Sequence, residues 1–210
     1  MKSDADNLLS MHRMRIPKST KVNARRLSGW CAITLLVLLS VIADGSFADE
    51  NDSRRVDISL SIFPRIVAVD NHFREKLSDD KKAYLLFVYE KDKKYAQGIA
   101  ERMKKGNANI GGMGVMTATA SIADELSENN PPTALFIVER LSDAQLEKIM
   151  AFSEETNRLV FSPYSGDVER GATVGISVTN RVKPYFNLSA LRKSKVAINA
   201  LLMKMSKRHE

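Results

Sequence analysis

A chain of 210 residues and 23.4 kDa has room for one full domain and a short appendage. Hydrophobic residues at 44% and charged residues at 27% are the balance of a globular protein, which sets aside collagen, coiled-coil, solenoid and polytopic membrane classes. The formal net charge is +7, but residues 1–48 alone hold seven basic residues against three acids, so the basic excess does not point to nucleic acid.

Within that stretch Trp30 to Ala43 is an apolar run of 14 residues without a charge. A bilayer-crossing helix needs roughly 20 such residues, so the run suits the core of a signal peptide better than a permanent anchor. Arg25 and Arg26 precede it, and Ser46-Phe47-Ala48 follows with small residues where a signal peptidase reads them. The sequence predicts cleavage after Ala48 and a mature chain starting at Asp49; an uncleaved anchor is the alternative. Met11 and Met14 leave the translation start open. The single cysteine, Cys31, lies in the run, so the mature chain is expected to have no disulfide, cysteine nucleophile or thiolate metal site. His72 and His209 are far apart in the chain and make no case for a metal.

After the leader, residues 49–55 are polar and read as a flexible lead-in to one domain over 56–210. Val56 to Val69 is apolar with Pro64 in the middle, and fits either two short strands or a helix beginning near Pro64. Ala83 to Tyr89 is a continuous apolar run of strand length, as in a strand buried on both faces. Asp92 then caps a helix whose Tyr95, Ala96, Ile99, Ala100 and Met103 share a face, ending at Gly106. Gly111-Gly112 reads as a turn, Gly114 to Thr119 as a strand, and Ile122 to Leu126 as a short helix. Thr133 to Val138 is the next buried strand. Ser142 and Gln145 form a capping box, with Leu141 and Leu146 as its hydrophobic staple, opening a helix to about Thr156. A short strand over 158–161, a polar loop and a hairpin (173–179 and 183–187) follow. A long closing helix is predicted from Leu188 to about Lys207, with Leu191, Ile198, Leu202 and Met205 along one stripe. Strand–helix alternation of this kind predicts an α/β fold: a single three-layer domain with a largely parallel sheet and closing antiparallel strands. Phe186 and Leu202 are expected to be buried, each costing about 2–5 kcal/mol when truncated to Ala.

Few residues are spaced for chemistry. The glycine cluster at 111–114 precedes a strand, the wrong order for a phosphate-binding turn. No nucleophile–base–orienter set is spaced as catalysis requires, so neither an enzyme nor a cofactor is indicated. The loop from Phe161 to Gly171 is the exception. It follows a strand, and loops at the carboxyl ends of strands are where open α/β sheets bind ligands. Tyr164, Asp167, Glu169 and Arg170 are therefore candidate partner- or ligand-binding residues, with Tyr164 and Arg170 expected to matter little for stability. The alternative is a tight loop, turned by Pro163 and Gly166, in which Asp167 pairs with Arg170.

The order Gly171-Ala-Thr-Val-Gly-Ile-Ser-Val, Val182-Lys-Pro-Tyr-Phe-Asn-Leu and Val196 to Ser206 resembles the end of the YfiR-like (HmsC-related) family. Leu85 to Tyr89, Ile110-Gly-Gly and Ala134 to Val138 fall where that family has two strands and a glycine segment, so the resemblance covers about 83–207. Two features depart from it: family cysteines are missing after cleavage, and the family's first helix is echoed only by Ser61 to Val69. The resemblance implies a periplasmic, non-enzymatic regulator that binds the periplasmic sensor part of an inner-membrane protein such as a diguanylate cyclase, and so governs cyclic di-GMP and biofilm formation. A different class of function, a periplasmic small-ligand binding module serving a transporter or sensor, fits the same sequence, and the oligomeric state, including a homodimer, is open.

Overall fold

The structure, a computed structural model, describes residues 50–124 and 126–210. The apolar run, Cys31 and the expected cleavage after Ala48 lie outside the described residues.

The first element is one helix, α1 (50–68). Val56, Leu60, Phe63 and Val67 recur at helical spacing and all are buried. Neither alternative for 56–69 holds: the helix starts well before Pro64 and runs through it. Residues 50–55, expected as a flexible lead-in, are its opening turns. Pro64 forfeits a backbone bond there, and burial of the apolar stripe on both sides of it offsets the loss.

A short 3-10 turn (Phe73–Lys76) leads to β1 (Ala83–Tyr89). α2 (Lys93–Gly106) is capped by Asp92, whose carboxylate accepts from the Tyr95 amide at 2.8 Å. Four of the five residues expected on its inner face are buried, while Tyr95 keeps 38% of its surface exposed. β2 (Asn109–Ile110) and β3 (Met113–Ser121) form a hairpin turned by Gly111 and Gly112, both in the left-handed region. The short helix expected at 122–126 is absent from the described part of that segment: Ile122 to Asp124 form a turn. Its amides go to the Tyr89 carbonyl and to the hydroxyl and carbonyl of Ser121 instead of a helical ladder. β4 (Ala134–Ile137) precedes α3 (Asp143–Thr156), which opens with the expected capping box and buried staple residues Leu141 and Leu146. β5 (Leu159–Ser162), β6 (Val174–Val178) and β7 (Val182–Asn187) follow.

The long closing helix is not formed. The segment divides into α4 (Leu188–Lys193), α5 (Ala200–Met205) and a final strand β8 (Lys207–His209). Lys195 lies in the left-handed region and ends the first piece, and the Asn199 side chain caps the second by accepting from the Leu201 amide at 2.9 Å. Phe186 is fully buried as expected, but Leu202 is only half-buried and Met205 is exposed.

All eight strands join one sheet in the order β2-β3-β1-β4-β5-β6-β7-β8. The central five are parallel, β2 runs against β3 and β7 against β6, and β8 runs with β7. Register pairs Phe87 with Phe136 and Phe136 with Phe161, so the three rings share a sheet face. Phe63 of α1 meets that face, its ring centre 5.3 Å from Phe136 and 5.4 Å from Phe161. β1–α2–β3 steps one way along the sheet and β4–α3–β5 the other, so right-handed crossovers put α2 and α3 on opposite faces. The fold is therefore the expected three-layer α/β arrangement. Among the described residues no helix is long and apolar enough to cross a membrane.

Candidate functional site

Strand order reverses at β1: the chain leaves it towards β3, and then continues from β4 towards β5. Two neighbouring strands whose following helices diverge leave a crevice beyond their carboxyl ends. A cleft of about 540 Å³ lies there. Asp52, Ser53 and Val56 of α1 form one wall; Asp92 and Tyr95 come from the start of α2; Val138, Glu139 and Arg140 follow β4; Tyr164 follows β5.

Each wall is fastened to the next. Both Glu139 carboxylate oxygens accept backbone amides, from Lys91 at 3.0 Å and Asp92 at 2.7 Å, which ties the β1–α2 turn to the end of β4. Arg140 donates two bonds to Asp52, at 2.6 and 2.9 Å, joining the same strand end to α1. That bond holds the Arg140 guanidinium even more firmly in its charged form. Arg140 also lies 5.2 Å over the Tyr164 ring. Tyr164 is buried, and its hydroxyl donates to the Val138 carbonyl, linking the ends of β5 and β4. Burial pushes the Tyr164 hydroxyl well above its ordinary pKa, so it stays a neutral donor. Burial also raises the Tyr95 hydroxyl, with Asp57 adding to the effect. Arg55, from the stretch expected to be flexible, donates to Pro163 O at 2.6 Å and Ile176 O at 2.8 Å, pinning α1 to the end of β5 and the middle of β6.

The cleft thus has aromatic surfaces and more negative than positive charge. Asp52 is neutralised by Arg140, whereas Asp92 and Glu139 face the cleft with no basic side chain paired to them among the described residues. Such a surface can hold a cation by charge, by hydrogen bonds to carboxylate and by contact with ring faces.

Of the four residues singled out in the sequence, Tyr164 alone lines this cleft. Asp167 is completely buried. It accepts from the Ser162 hydroxyl at 2.6 Å and from Arg170 at 2.9 Å. Arg170 further donates to Asp143 at 2.6 Å and to the Leu141 carbonyl at 2.8 Å, stapling the loop to the start of α3. Burial raises the Asp167 pKa, against the pull of Ser162 and Arg170. Gly166 supplies the left-handed turn between them. The tight-loop alternative therefore describes Asp167 and Arg170, and the expectation that Tyr164 and Arg170 matter little for stability is reversed. Glu169 faces elsewhere, into a hollow of about 190 Å³ beside Tyr185 and Lys207. Arg170 borders another hollow, of about 640 Å³, between α3 and α4, which shares no lining residue with the cleft. Asp52, Asp92, Tyr95, Glu139 and Arg140 were not singled out in the sequence as site residues. The strand-end rule, applied to β1 and β4 as it was to β5, points to the last four.

No protein-family model matches the chain, and no curated protein matches it. Among solved structures the chain is similar to a conserved domain protein from Vibrio cholerae O1 biovar El Tor, with 14% identity and a TM-score of 0.50 over 74% of this chain and 60% of that one. Looser overlaps are found with an ABC domain in complex with L-Trp from Streptococcus pneumoniae (10% identity, TM-score 0.44, 69% of this chain and 62% of that one). A ligand-free, open substrate-binding protein with adhesive properties from Clostridium difficile overlaps similarly (12% identity, TM-score 0.45, 64% and 60%). The chain spans between 60% and 62% of the length of these proteins. At 14% identity the likeness to the Vibrio protein concerns the fold alone.

Proposed function

We propose that the domain is a small-ligand binding module, and that its ligand carries an amine or another cationic group seated in the cleft beyond β1 and β4. The observation that carries this reading is the combination at one strand-order reversal of ring faces with two carboxylates, Asp92 and Glu139, that no basic side chain offsets among the described residues. The apolar run and flanks at 25–48 read as a cleavable signal peptide, so the module works in the periplasm. There it presents its loaded or empty state to a membrane transporter or sensor. The YfiR-like resemblance names one such partner, the sensor part of an inner-membrane diguanylate cyclase.

The test is calorimetric titration of the protein with a panel of primary amines, amino acids and polyamines, set beside carboxylates and neutral sugars. Amines are expected to bind and the others not. Asp92→Asn keeps a good helix cap while removing the charge, and is expected to weaken binding about tenfold or more, the worth of one charge-assisted hydrogen bond. Absence of any amine binding, or unchanged affinity in that variant, overturns the proposal.

A further inference from the structure

The carboxyl-terminal part of the domain differs in charge from everything before it. Eight of the 30 residues from Arg181 to Glu210 are Lys or Arg and Glu210 is their only acid, whereas over 49–180 acids outnumber bases by 21 to 17. All eight basic residues are exposed. Among the described residues none is in an ion pair with a carboxylate.

Apolar side chains stand out in the same region. Val178 and Val182, 44% and 39% exposed, are register partners at the turn end of the β6–β7 hairpin and share a face. Leu201 and Met205, 66% and 58% exposed, are one helical turn apart on α5, a helix with no buried residue of its own. The pairing of Tyr185 with Lys207 sets the end of α5 alongside β7. Lys204, between the two exposed α5 side chains, and Lys207 and Arg208 after them bring positive charge to the same edge of the sheet.

We propose that this edge docks on an anionic lipid bilayer, with the aliphatic side chains entering the headgroup boundary and the basic ones lying over the phosphates. Basic charge around protruding aliphatic residues is the combination that holds peripheral proteins on acidic membranes. A protein partner fits less well: five of the eight basic residues are Lys, which protein interfaces avoid, and none of the four exposed apolar residues is aromatic. The first 48 residues of the chain carry the same sign of charge, so they do not supply the complement. The surface is separate from the cleft, and the inference does not depend on the cleft's ligand.

Hydrogen exchange read by mass spectrometry tests it on the full chain, because the readout is local and indifferent to membrane binding by the amino-terminal apolar run. The chain is compared alone, with phosphatidylcholine vesicles, and with vesicles containing phosphatidylglycerol. Slower exchange is expected over 178–184 and 200–209 with the anionic vesicles only, and its loss is expected at high salt. Lys204→Glu with Lys207→Glu and Arg208→Glu is expected to abolish it, since each basic residue is worth roughly fivefold in partitioning and the three together about a hundredfold. Exchange elsewhere in that variant reports whether it is folded. No protection in those segments, equal protection on neutral vesicles, or protection unchanged in the folded variant overturns the proposal; the first outcome would redirect the surface to an acidic protein.

Discussion

Replacing Arg170 by Ala removes three bonds and strands one charge. The contact to Asp143 counts for little, because that carboxylate is almost wholly exposed. The bonds to the Leu141 carbonyl and to Asp167 are charge-assisted, and Asp167 is completely buried, with only Ser162 left to satisfy it. A loss of about 3 kcal/mol at neutral pH is expected. The loss should depend on pH. Asp167 has a raised folded-state pKa, so the folded protein binds the proton more tightly than the unfolded chain does. Keeping the carboxylate ionised therefore costs stability above the folded-state pKa, and that cost disappears as pH falls through the ordinary carboxylate range. Removing Arg170 takes away a contact that opposes the rise, so the cost extends over a wider pH window. The deficit of Arg170→Ala relative to the unmodified protein is expected to be largest near neutrality and to narrow towards about pH 4. Urea unfolding followed by circular dichroism at both pH values measures it. Adding Asp167→Asn to Arg170→Ala is expected to restore more than half of the loss. A deficit below about 1 kcal/mol at neutral pH, or one that stays constant with pH, would refute the view of this pair as a buried staple.

Gly175→Ala is expected to destabilise by about 2 kcal/mol, because the added methyl would sit 2.8 Å from the Ser162 carbonyl oxygen and 2.7 Å from a Val168 methyl; an unchanged thermal melt would show that β5 and the loop move aside freely. Phe186→Ala is expected to cost about 3–5 kcal/mol and Leu202→Ala only about 1, since the first is fully buried and the second only partly. Equal losses in chemical denaturation would mean that α5 packs more tightly than its exposure implies.

The elements legible in the sequence were those with a local signature. The apolar runs at 83–89 and 134–137, the Ser142–Gln145 box and the 174–187 hairpin each declare themselves within a dozen residues. α1 escaped because Pro64 looked like a break, although Val56, Leu60, Phe63 and Val67 already kept helical spacing through it. The closing segment misled in the opposite way. Its apolar stripe continues in sequence from Leu191 to Met205, yet Lys195 turns left-handed and Ile198 pairs with Asp70, contacts that periodicity does not encode. Asn199 ahead of an apolar run was the local hint of a new helix start. The site was half legible. Tyr164 was reachable from the strand-end rule, but the cleft needs Asp52, Asp92 and Arg140 brought together across 88 residues of chain, which takes the strand order and the docking of α1 on the sheet.

All walls of the cleft belong to one compact unit: two neighbouring strand ends, the helices that leave or overlie them, and a loop tied back by Tyr164 and Arg55. A ligand held there, on the proposed reading, meets walls already tied to one another, so its capture calls for no closure between them. Affinity then rests on groups already in position, with little ordering cost at the moment of capture. A receptor that told the filled from the empty form would then read the mouth itself, through the ligand's exposed edge and the side chains of Ser53, Asp92 and Tyr95 around it.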